Sequence, residues 1–345
     1  MKILHAPLDI AGVSWSLVQA LNALGHEADL ATIDNSKFTK AGNIDLSFRQ
    51  DPSWKRQWKK YQFTQKVLPS YDAVHYHAGR SILDYGEGQL SLLDLKAAAR
   101  RGQVVAMTYH GCEVRGLHPE LCAQYCKDRI CENKEQLDRI KRIEPYVDLF
   151  YVTTPDLLSA VPQAQLMPQS VWGLADVEAS FPCGESGDAV RVLHMPSRRD
   201  AKGSSHIIKE CQKLVDEGLN IDFVLVEGAE HKQALLEIAK ADVVIDQLIM
   251  GWYCVLSVEA AALGKAVVVG LQEEYEQRTK LASPPFTRTT PETLASTIRE
   301  LVEQRSLLAD KGRRNRDFAL ERHDALAHAK QSVEDYQRAH DRKRR

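Results

Sequence analysis

The stretch "GWYCVLSVEAAALGKAVVVG", residues 251–270, indicates the fold because it holds a turn, a helix and a strand in the order of an α/β unit. A Gly-Trp-Tyr-Cys turn leads into a helix of small residues, Gly264 ends that helix, and the apolar run "AVVV" reads as a buried strand. Glu259 is the one acid of this helix and stands among alanines. Since acids are seldom buried without a partner, its position raises the question of what it binds.

The same alternation continues on both sides of this stretch. The strand-like runs are "KILHAP", "EADLATI", "DAVHYH", "QVVAMTYH" and "LFYVTT" in the first half, and "AVRVLHMP", "IDFVLVEG", "DVVIDQLI" and "AVVVG" in the second. Helix-like segments lie between them, which is typical of parallel sheets with crossover helices. Ligands of such sheets bind at the carboxyl ends of the strands.

The division into domains follows from residues 166–188, which are rich in Pro, Gly and Ser and lack sustained periodicity. We therefore predict an α/β protein with two doubly wound, Rossmann-like domains, 1–168 and 189–315. A C-terminal helical segment with a basic tail, 316–345, follows, and its return to the first domain is one option. The tail "DRKRR" is interpreted as a solvated end in preference to a binding element.

Length and composition limit the classes of protein. A chain of 345 residues favours two domains, and 44% hydrophobic with 27% charged residues is ordinary for a globular protein. A formal net charge of -2 gives no global reason to expect nucleic acid. The start lacks the apolar region of a signal peptide, and no run reaches the roughly 20 apolar residues of a membrane span. We expect a cytoplasmic protein, with peripheral contact at the inner membrane face as a further option.

Several polar residues follow predicted strands of the first domain. Gly12 lies in the first strand-to-helix loop, where main-chain N–H groups face a ligand unless the loop is an ordinary turn. The absence of a G-x-G-x-x-G fingerprint counts against a dinucleotide oxidoreductase. His110, Glu113 and Arg115 follow "QVVAMTY", and three ionisable groups at this edge favour a functional role over a structural one.

His75 and His77 stand two residues apart, so in a strand they share one face. This spacing suits a metal, but no acid or cysteine nearby completes a set, and we favour non-metal roles. In that interpretation His77 lies near the crevice and His75 packs within the sheet.

The clearest anion-binding pattern is "HMPSRRDAKGSSHIIKEC". A strand is followed by a loop with Arg198, Arg199 and Lys202, then by Gly203 and a helix that begins in serines. Fixed cations beside helix N-terminal amides suit a diphosphate, while the alternative is a solvated loop.

Two further clusters are open to more than one interpretation. Four of the seven cysteines, Cys112, Cys122, Cys126 and Cys131, crowd together with His118 but lack a C-x2-C knuckle, so unpaired thiols are favoured over a zinc site or disulfides. Residues 54–66 place Trp54, Trp58 and Tyr61 on one helical stripe beside basic residues. The stripe suits either an anionic membrane surface or, as we favour, packing against its own domain.

Taken together, these segments resemble the retaining glycosyltransferases of family 4, which have the two-Rossmann-domain fold called GT-B. The resemblance covers nearly the whole chain through "HAPLDIAGVSWSLVQALNALGHEADL", "VVAMTYHG", "VTTPDLL", "HMPSRRDAKGS" and "ADVVIDQLIMGWYCVLSVEAAALGKAVV". It implies two domains facing a cleft, with the acceptor on the first and the donor on the second.

The reaction that the resemblance implies is transfer of a hexose or related sugar from a nucleoside diphosphate to an acceptor hydroxyl, with the anomeric configuration retained. The product would be a glycan, polysaccharide or glycoconjugate, and the acceptor a glycan, a lipid-linked molecule or a small molecule. The resemblance implies that no metal or other cofactor is required. The net charge of the chain leads us to expect no nucleic-acid partner.

Roles of individual residues are implied as well. Arg199 and Lys202 would bind the donor diphosphate, with Arg198 as the adjacent candidate, and Glu259 would hold the ribose hydroxyls. His110 would lie beside the transferred sugar and, with Arg199 and Lys202, form the catalytic set.

The remaining implied contacts lie on both sides of the cleft. Gly12 would approach the donor phosphates, and the sugar or acceptor side would include His77, Glu113 and Arg115. The first acid of the family's Glu, seven residues, Glu pattern falls at Gly251 in this chain, and Asp246 cannot be placed in the same role. Sugar recognition would then rest on the segment that follows, namely Trp252, Tyr253, Cys254 and Val255.

Two alternatives to a transferase remain. A sugar-nucleotide epimerase or hydrolase can share the same fold. A non-catalytic module that binds sugar nucleotides or glycans is supported by the missing first acid.

Overall fold

The computed structural model describes residues 1–33, 42–83, 92–115, 134–181, 187–279 and 283–345. They belong to two compact units. The first contains the described residues up to Trp172 together with Ala325–Arg345, and the second contains Gly173–Asp324. The point of division therefore lies within the Pro- and Gly-rich segment 166–188.

The first unit is built on a parallel sheet of seven strands. These are β1 Lys2–Ala6, β2 Glu27–Thr32, β3 Ile44–Asp45, β4 Ala73–His77, β5 Val104–Tyr109, β6 Leu149–Val152 and β7 Gln165–Leu166. Their order is β3-β2-β1-β4-β5-β6-β7. The chain reverses its direction across the sheet after β3, so the carboxyl ends of β1 and β4 flank a topological switch point.

Helices cover both faces of this sheet. They are α1 Val13–Ala23, α2 Ser53–Lys66, α3 Leu93–Arg100, α4 Cys112–Arg115 and α5 Lys134–Ile143, with short 3-10 helices at Leu68–Ser70, Glu144–Tyr146 and Pro155–Ser159. Because side chains alternate along a strand, Ile3 and Leu4 of β1 enter separate apolar clusters on opposite faces. The cluster that contains Ile3 also contains Ala329 and Tyr336 from the last helix of the chain.

The second unit has a parallel sheet of five strands. These are β8 Val190–His194, β9 Ile221–Leu225, β10 Val243–Ile245, β11 Ala266–Val269 and β12 Thr287–Arg288, in the order β12-β11-β10-β8-β9. All neighbours are parallel, and the switch point lies between β8 and β10. The two doubly wound α/β sheets predicted from the sequence are thus confirmed.

The helices that follow Trp172 are α6 Val177–Ser180, α7 Arg199–Lys202, α8 Ser204–Asp216, α9 His231–Lys240, α10 Val255–Ala262, α11 Glu273–Thr279, α12 Leu294–Glu303, α13 Leu308–Arg322 and α14 Ala325–Arg344. Further 3-10 helices span Leu174–Asp176 and Arg305–Leu307. Helix α13 belongs to the second unit and α14 to the first. Within the described residues, no helix combines the length and the apolar character needed to cross a membrane.

Candidate functional site

The central feature of the second unit is a buried ion pair between Lys202 and Asp246. Lys202 ends α7, which follows β8, and Asp246 follows β10, so the two residues lie at the switch point of the sheet. The Lys202 Nζ atom is 2.5 Å from Asp246 Oδ1. Burial lowers the pKa of Lys202, but the Asp246 carboxylate outweighs burial and holds that pKa above its usual value.

Asp246 also holds the first turn of α10. Its Oδ2 atom accepts hydrogen bonds from the Cys254 N–H at 2.8 Å and from the Ser257 hydroxyl at 2.7 Å. Burial opposes ionisation of Asp246, yet Lys202 and these donors keep the pKa of Asp246 below its usual value. One carboxylate therefore fixes the position of the candidate phosphate-binding lysine relative to a helix N-terminus, a role that the sequence did not reveal.

The two arginines of the same loop differ in exposure. Arg199 is exposed, and its guanidinium binds both carboxylate oxygens of Glu227, at 2.7 Å and 2.5 Å. Arg198 precedes α7 and is half-buried. Since an exposed ion pair contributes little stability, an anionic ligand can replace Glu227 at Arg199 at small cost.

His194 links the end of β10 to the first residue of α8 by hydrogen bonds. Its Nδ1 atom is 2.9 Å from the carbonyl oxygen of Ile245, and its Nε2 atom is 2.8 Å from the Ser204 hydroxyl. Burial lowers the pKa of His194 to about 4, so the ring is neutral, with Nδ1 donating to the carbonyl and Nε2 accepting from Ser204. Only its place at the end of a predicted strand could have signalled this role.

Glu259, the acid of the opening stretch, is nearly buried and has a partner. Its Oε1 atom lies 2.6 Å from Nε2 of His231, the first residue of α9. His231 is half-exposed and was not among the predicted site residues. The position of Glu259 is therefore set by a neighbouring helix of the same unit.

Gly251 occupies a position that only glycine fits easily. Its φ is +76°, and a Cβ atom there would approach the Tyr275 ring to 2.6 Å and Gln272 Cγ to 2.9 Å. The Gln247 amide fixes this loop by donating to the carbonyls of Trp252 and Gly270, at 2.9 Å and 2.7 Å. Local packing thus accounts for glycine where the family pattern has its first acid.

The aromatic residues after Gly251 pack inside the unit. Trp252 and Tyr253 are buried, with ring centroids 5.1 Å apart. The Tyr253 hydroxyl is 3.1 Å from His323 Nε2, and the Tyr253 ring makes edge contacts with Phe286 and Phe318. The Trp252 and Tyr253 rings therefore stabilise the loop after Gly251 by packing within the second unit.

In the first unit, an aspartate hydrogen-bonds to main-chain N–H groups just after the loop at Gly12. Gly12 has a φ of +78° and precedes α1. The buried Asp9 accepts hydrogen bonds on Oδ1 from the N–H groups of Ser14 and Trp15, at 3.0 Å and 3.2 Å. The amides that would meet a phosphate at this helix are therefore capped by Asp9 in the structure.

Four histidines meet at the carboxyl ends of β1, β4 and β5. His5 Nδ1 is 3.0 Å from His77 Nε2, and His77 Nδ1 is 3.1 Å from His110 Nε2. Burial lowers the pKa of His5 to about 3 and that of His110 to about 4, and it holds the pKa values of His75 and His77 well below the usual range. All four rings are therefore neutral near pH 7. The sequence predicted His77 and His110 for a site, but it did not predict that His77 contacts both His110 and His5.

The geometry of this cluster differs from that of a coordination set. One nitrogen from each of His5, His75 and His77 lies within 4.8 Å of the others. Both ring nitrogens of His75 are engaged, Nδ1 by the Tyr336 hydroxyl and Nε2 by Thr108 Oγ1, each at 2.6 Å. The His75 and His77 rings are parallel to within 9°, so their lone pairs do not converge as metal ligands must.

The other residues predicted for this edge are held by local contacts. Glu113 accepts a hydrogen bond from the His110 main-chain N–H, and the Arg115 Nε atom donates to Asp156 Oδ2 at 2.6 Å in a buried pair. Cys112 begins α4 next to these residues. The remaining members of the predicted cysteine cluster, Cys122, Cys126, Cys131 and His118, lie outside the described residues.

The aromatic stripe on α2 is largely exposed. Trp54 is 72% exposed and Trp58 is 54% exposed, and the Trp58 ring stacks on Tyr61 with centroids 5.8 Å apart. Helix α2 carries five basic residues and no acid, although Lys55 and Lys59 pair with Asp51 just before it. Packing against the unit's own core therefore does not cover Trp54 and Trp58.

Comparison with known proteins identifies the fold. No protein family model and no curated protein matches the chain. A sucrose-phosphate synthase from Thermosynechococcus elongatus has a similar structure, with a TM-score of 0.63 and 17% identity over 98% of each chain. HepE of Anabaena in complex with UDP has a TM-score of 0.59 and 16% identity, over 97% of this chain and 99% of that one.

A third similar structure is the catalytic domain of starch synthase IV from Arabidopsis thaliana bound to ADP and acarbose, with a TM-score of 0.61 and 10% identity over 99% of each chain. At such identities the likeness shows the fold alone. The expected GT-B fold is confirmed, and membership of family 4 stays a prediction.

Proposed function

We propose that the protein is a glycosyltransferase that moves a sugar from a nucleoside diphosphate to an acceptor hydroxyl. The observation that carries this proposal is the Lys202–Asp246 pair, which joins a buried cation to the first turn of α10 at the switch point of the second sheet. Ligands of doubly wound sheets bind at such points. Similar structures that contain UDP or ADP support a nucleoside diphosphate as the ligand.

Donor binding would use charges already in place. Arg199 can exchange Glu227 for a phosphate oxygen, while Lys202 and the N-terminal dipole of α10 stabilise the negative charge that develops on the leaving diphosphate. Glu259, aligned by His231, would accept hydrogen bonds from the ribose hydroxyls. These cations would supply the charge stabilisation without a metal ion, and the resemblance to retaining enzymes supports retention of the anomeric configuration.

The sugar and acceptor side would involve His110, His77 and Glu113, which lie together at the carboxyl edge of the first sheet. Arg115 would act through its pair with Asp156, and Gly12 through the shape of its loop. Transfer of a hexose or related sugar to a glycan, lipid-linked or small-molecule acceptor is the reaction that we propose.

A matched pair of lysine variants tests donor binding. Lys202→Met removes a buried ammonium at the site, and Lys265→Met removes another in the same unit, where Lys265 Nζ donates to the Ala239 carbonyl at 2.7 Å. We expect nucleoside diphosphates to raise the melting temperature of wild type and of Lys265→Met but not of folded Lys202→Met. Equal stabilisation of both variants would remove Lys202 from the donor site.

Gly251 favours one second candidate, a non-catalytic module that binds sugar nucleotides. An acid cannot be added at this position without moving Tyr275 and Gln272. Calorimetric binding of a nucleoside diphosphate, with no turnover across a panel of sugar donors and acceptors, would favour this module. An epimerised or hydrolysed donor in the absence of acceptor would identify the epimerase or hydrolase alternative.

We also propose that α2 contacts an anionic membrane surface at the inner membrane face. Exposed tryptophans beside several cations and no acid on the same helix suit the interface of such a membrane. Wild-type protein should co-sediment at low salt with vesicles of phosphatidylcholine and phosphatidylglycerol, and Trp54→Ser with Trp58→Ser should lose this binding. Leu307→Ser, at an exposed apolar residue of the second unit, is the control, and equal loss there would contradict the proposal.

A further inference from the structure

A row of three histidines, His5 and His77 fully buried and His110 half-buried, has only two possible arrangements of its protons. His77 is the middle ring, with Nε2 facing His5 Nδ1 and Nδ1 facing His110 Nε2. Each neutral imidazole carries one N–H, and each of the two links needs one proton. The third proton must therefore sit at one end of the row, either on His5 Nε2 or on His110 Nδ1.

The inner end of the row is a poor place for a proton. His5 is fully buried, and its Nε2 atom has no hydrogen-bond partner among the described residues. A buried N–H without an acceptor is costly, and orphaned main-chain donors are rarer in proteins than under-satisfied acceptors. This end of the row therefore favours an unprotonated His5 Nε2.

The outer end offers a better environment for the proton. The Glu113 carboxylate accepts a hydrogen bond from the main-chain N–H of His110, and Nδ1 is the ring nitrogen closest to that main chain. The nearby negative charge attracts the proton of the His110 ring, and Nδ1 is the ring nitrogen that does not face His77. Both ends thus select the same arrangement, in which His5 donates to His77 and His77 donates to His110.

We propose that His77, itself held by His5, fixes His110 with its proton on Nδ1, so that His110 donates a hydrogen bond to a ligand oxygen and does not act as a proton acceptor. The ligand oxygen would belong to a sugar hydroxyl or a phosphate. Use of this donor on a sugar substrate rests on the proposed function, whereas the tautomer of His110 does not. His5 and His77 are positioning residues that act through His110.

Nuclear magnetic resonance of the full chain with ¹⁵N-labelled histidine reads the tautomer directly, without substrate. The His110 signals are assigned by their loss in His110→Gln. At neutral pH we expect His110 and His77 to carry a proton on Nδ1 and none on Nε2. A proton on His110 Nε2 would overturn the proposal, whether or not the protein proves to be a transferase.

Two substitutions of His77 test whether the row sets the tautomer. The His77→Asn side chain keeps an amide near the former Nδ1 position, so His110 should stay protonated on Nδ1. His77→Leu removes the donor, and His110 should then populate both tautomers. An unchanged His110 spectrum in His77→Leu would show that the row does not fix the proton. If that variant does not fold, His5→Leu gives the same comparison, because His77 then loses the donor that orients it.

Discussion

Single residues explain the two unusual features of the α10 region. Gly251 stands where the pattern of the resembled family has its first acid, and here the backbone is left-handed and the Cβ space is filled by Tyr275 and Gln272. Asp246 has a structural role, since its oxygens accept hydrogen bonds from Lys202, Cys254 and Ser257. The chemistry of this region thus depends on backbone conformation as much as on side chains.

Replacing Gly251 by alanine should therefore destabilise the protein. Both the φ of +76° and the close approach to Tyr275 oppose a Cβ atom, and we expect a loss of about 1–3 kcal/mol in the free energy of unfolding. Gly228→Ala is the control, since Gly228 has a φ of +65° but open space around its Cβ position. Urea denaturation of both variants separates the cost of the positive φ from the cost of the close contacts at Cβ. Equal losses of unfolding free energy would show that the contact with Tyr275 does not contribute to the loss in Gly251→Ala.

Removing the Asp246 carboxylate should lower the free energy of unfolding more than Gly251→Ala does. Asp246→Ala leaves the Lys202 ammonium buried and unpaired, and we expect a loss of about 3–5 kcal/mol in unfolding free energy. The double variant Asp246→Leu, Lys202→Met should recover part of that loss because no charge is left buried. If Asp246→Ala unfolds at the same urea concentration as wild type, the ion pair between α7 and the end of β10 does not stabilise the fold.

The sign of the pH dependence follows from the same pair. The pKa of Asp246 is depressed, so its contribution to stability is present above the unfolded value of 3.8 and is lost as pH falls through the folded pKa. The pKa of Lys202 is raised, so its contribution is present below 10.5 and is lost as pH rises through the folded pKa. The pair therefore stabilises the fold throughout the neutral range.

Among the elements, the strand ends carry the candidate site. The apolar runs of β1, β4, β5, β8, β10 and β11 predicted these strands because buried parallel strands are nearly continuous in hydrophobicity. Strands β3, β7 and β12 have two residues each and no apolar run, so the sequence offered no signal for them. The row of His5, His77 and His110 joins three strands distant in sequence, and only their pairing in the sheet brings the rings together.

Buried neutral histidines at these strand ends should make the protein labile to acid. Their folded pKa values lie near 3 to 4 for His5, His110 and His194, below the unfolded value of 6.5. The contribution of these neutral rings to the free energy of unfolding is fully present above about pH 6.5. It falls as pH decreases toward about 4, by about 1.4 kcal/mol per pH unit for each such histidine. Urea unfolding midpoints measured from about pH 7 to about pH 4.5 check this slope. A midpoint independent of pH over that range would contradict the burial of neutral rings.

At the scale of the whole molecule, the last helix belongs with the first unit. The Tyr336 hydroxyl contacts His75 Nδ1 at 2.6 Å, and the Tyr151 hydroxyl donates to Asp335 at 2.8 Å, so α14 makes buried polar contacts with the sheet of that unit. Helical periodicity in the sequence predicted the helix, but not which unit it joins, because that depends on contacts more than 180 residues away in the chain.

Truncation after residue 324 should therefore unfold the first unit. It removes Tyr336 and the apolar residues of α14 from the core cluster that contains Ile3, although no predicted site residue is deleted. Limited proteolysis should then cleave the first unit while fragments of the second persist. Truncation after residue 340 is the control, and this variant should resist digestion like wild type. If the variant truncated after residue 324 were equally resistant, the assignment of α14 to the first unit would be contradicted.

Product analysis shows whether the protein transfers a sugar from a nucleoside diphosphate. Wild-type protein is incubated with a panel of nucleoside diphosphate sugars and acceptors, and the products are examined by mass spectrometry and by nuclear magnetic resonance at the anomeric centre. We expect a glycosylated acceptor with the donor's anomeric configuration and one equivalent of released nucleoside diphosphate. Both products should be lost in Lys202→Met and kept in Lys265→Met. A donor that is only epimerised or hydrolysed, or equal transfer by folded Lys202→Met, would contradict this expectation.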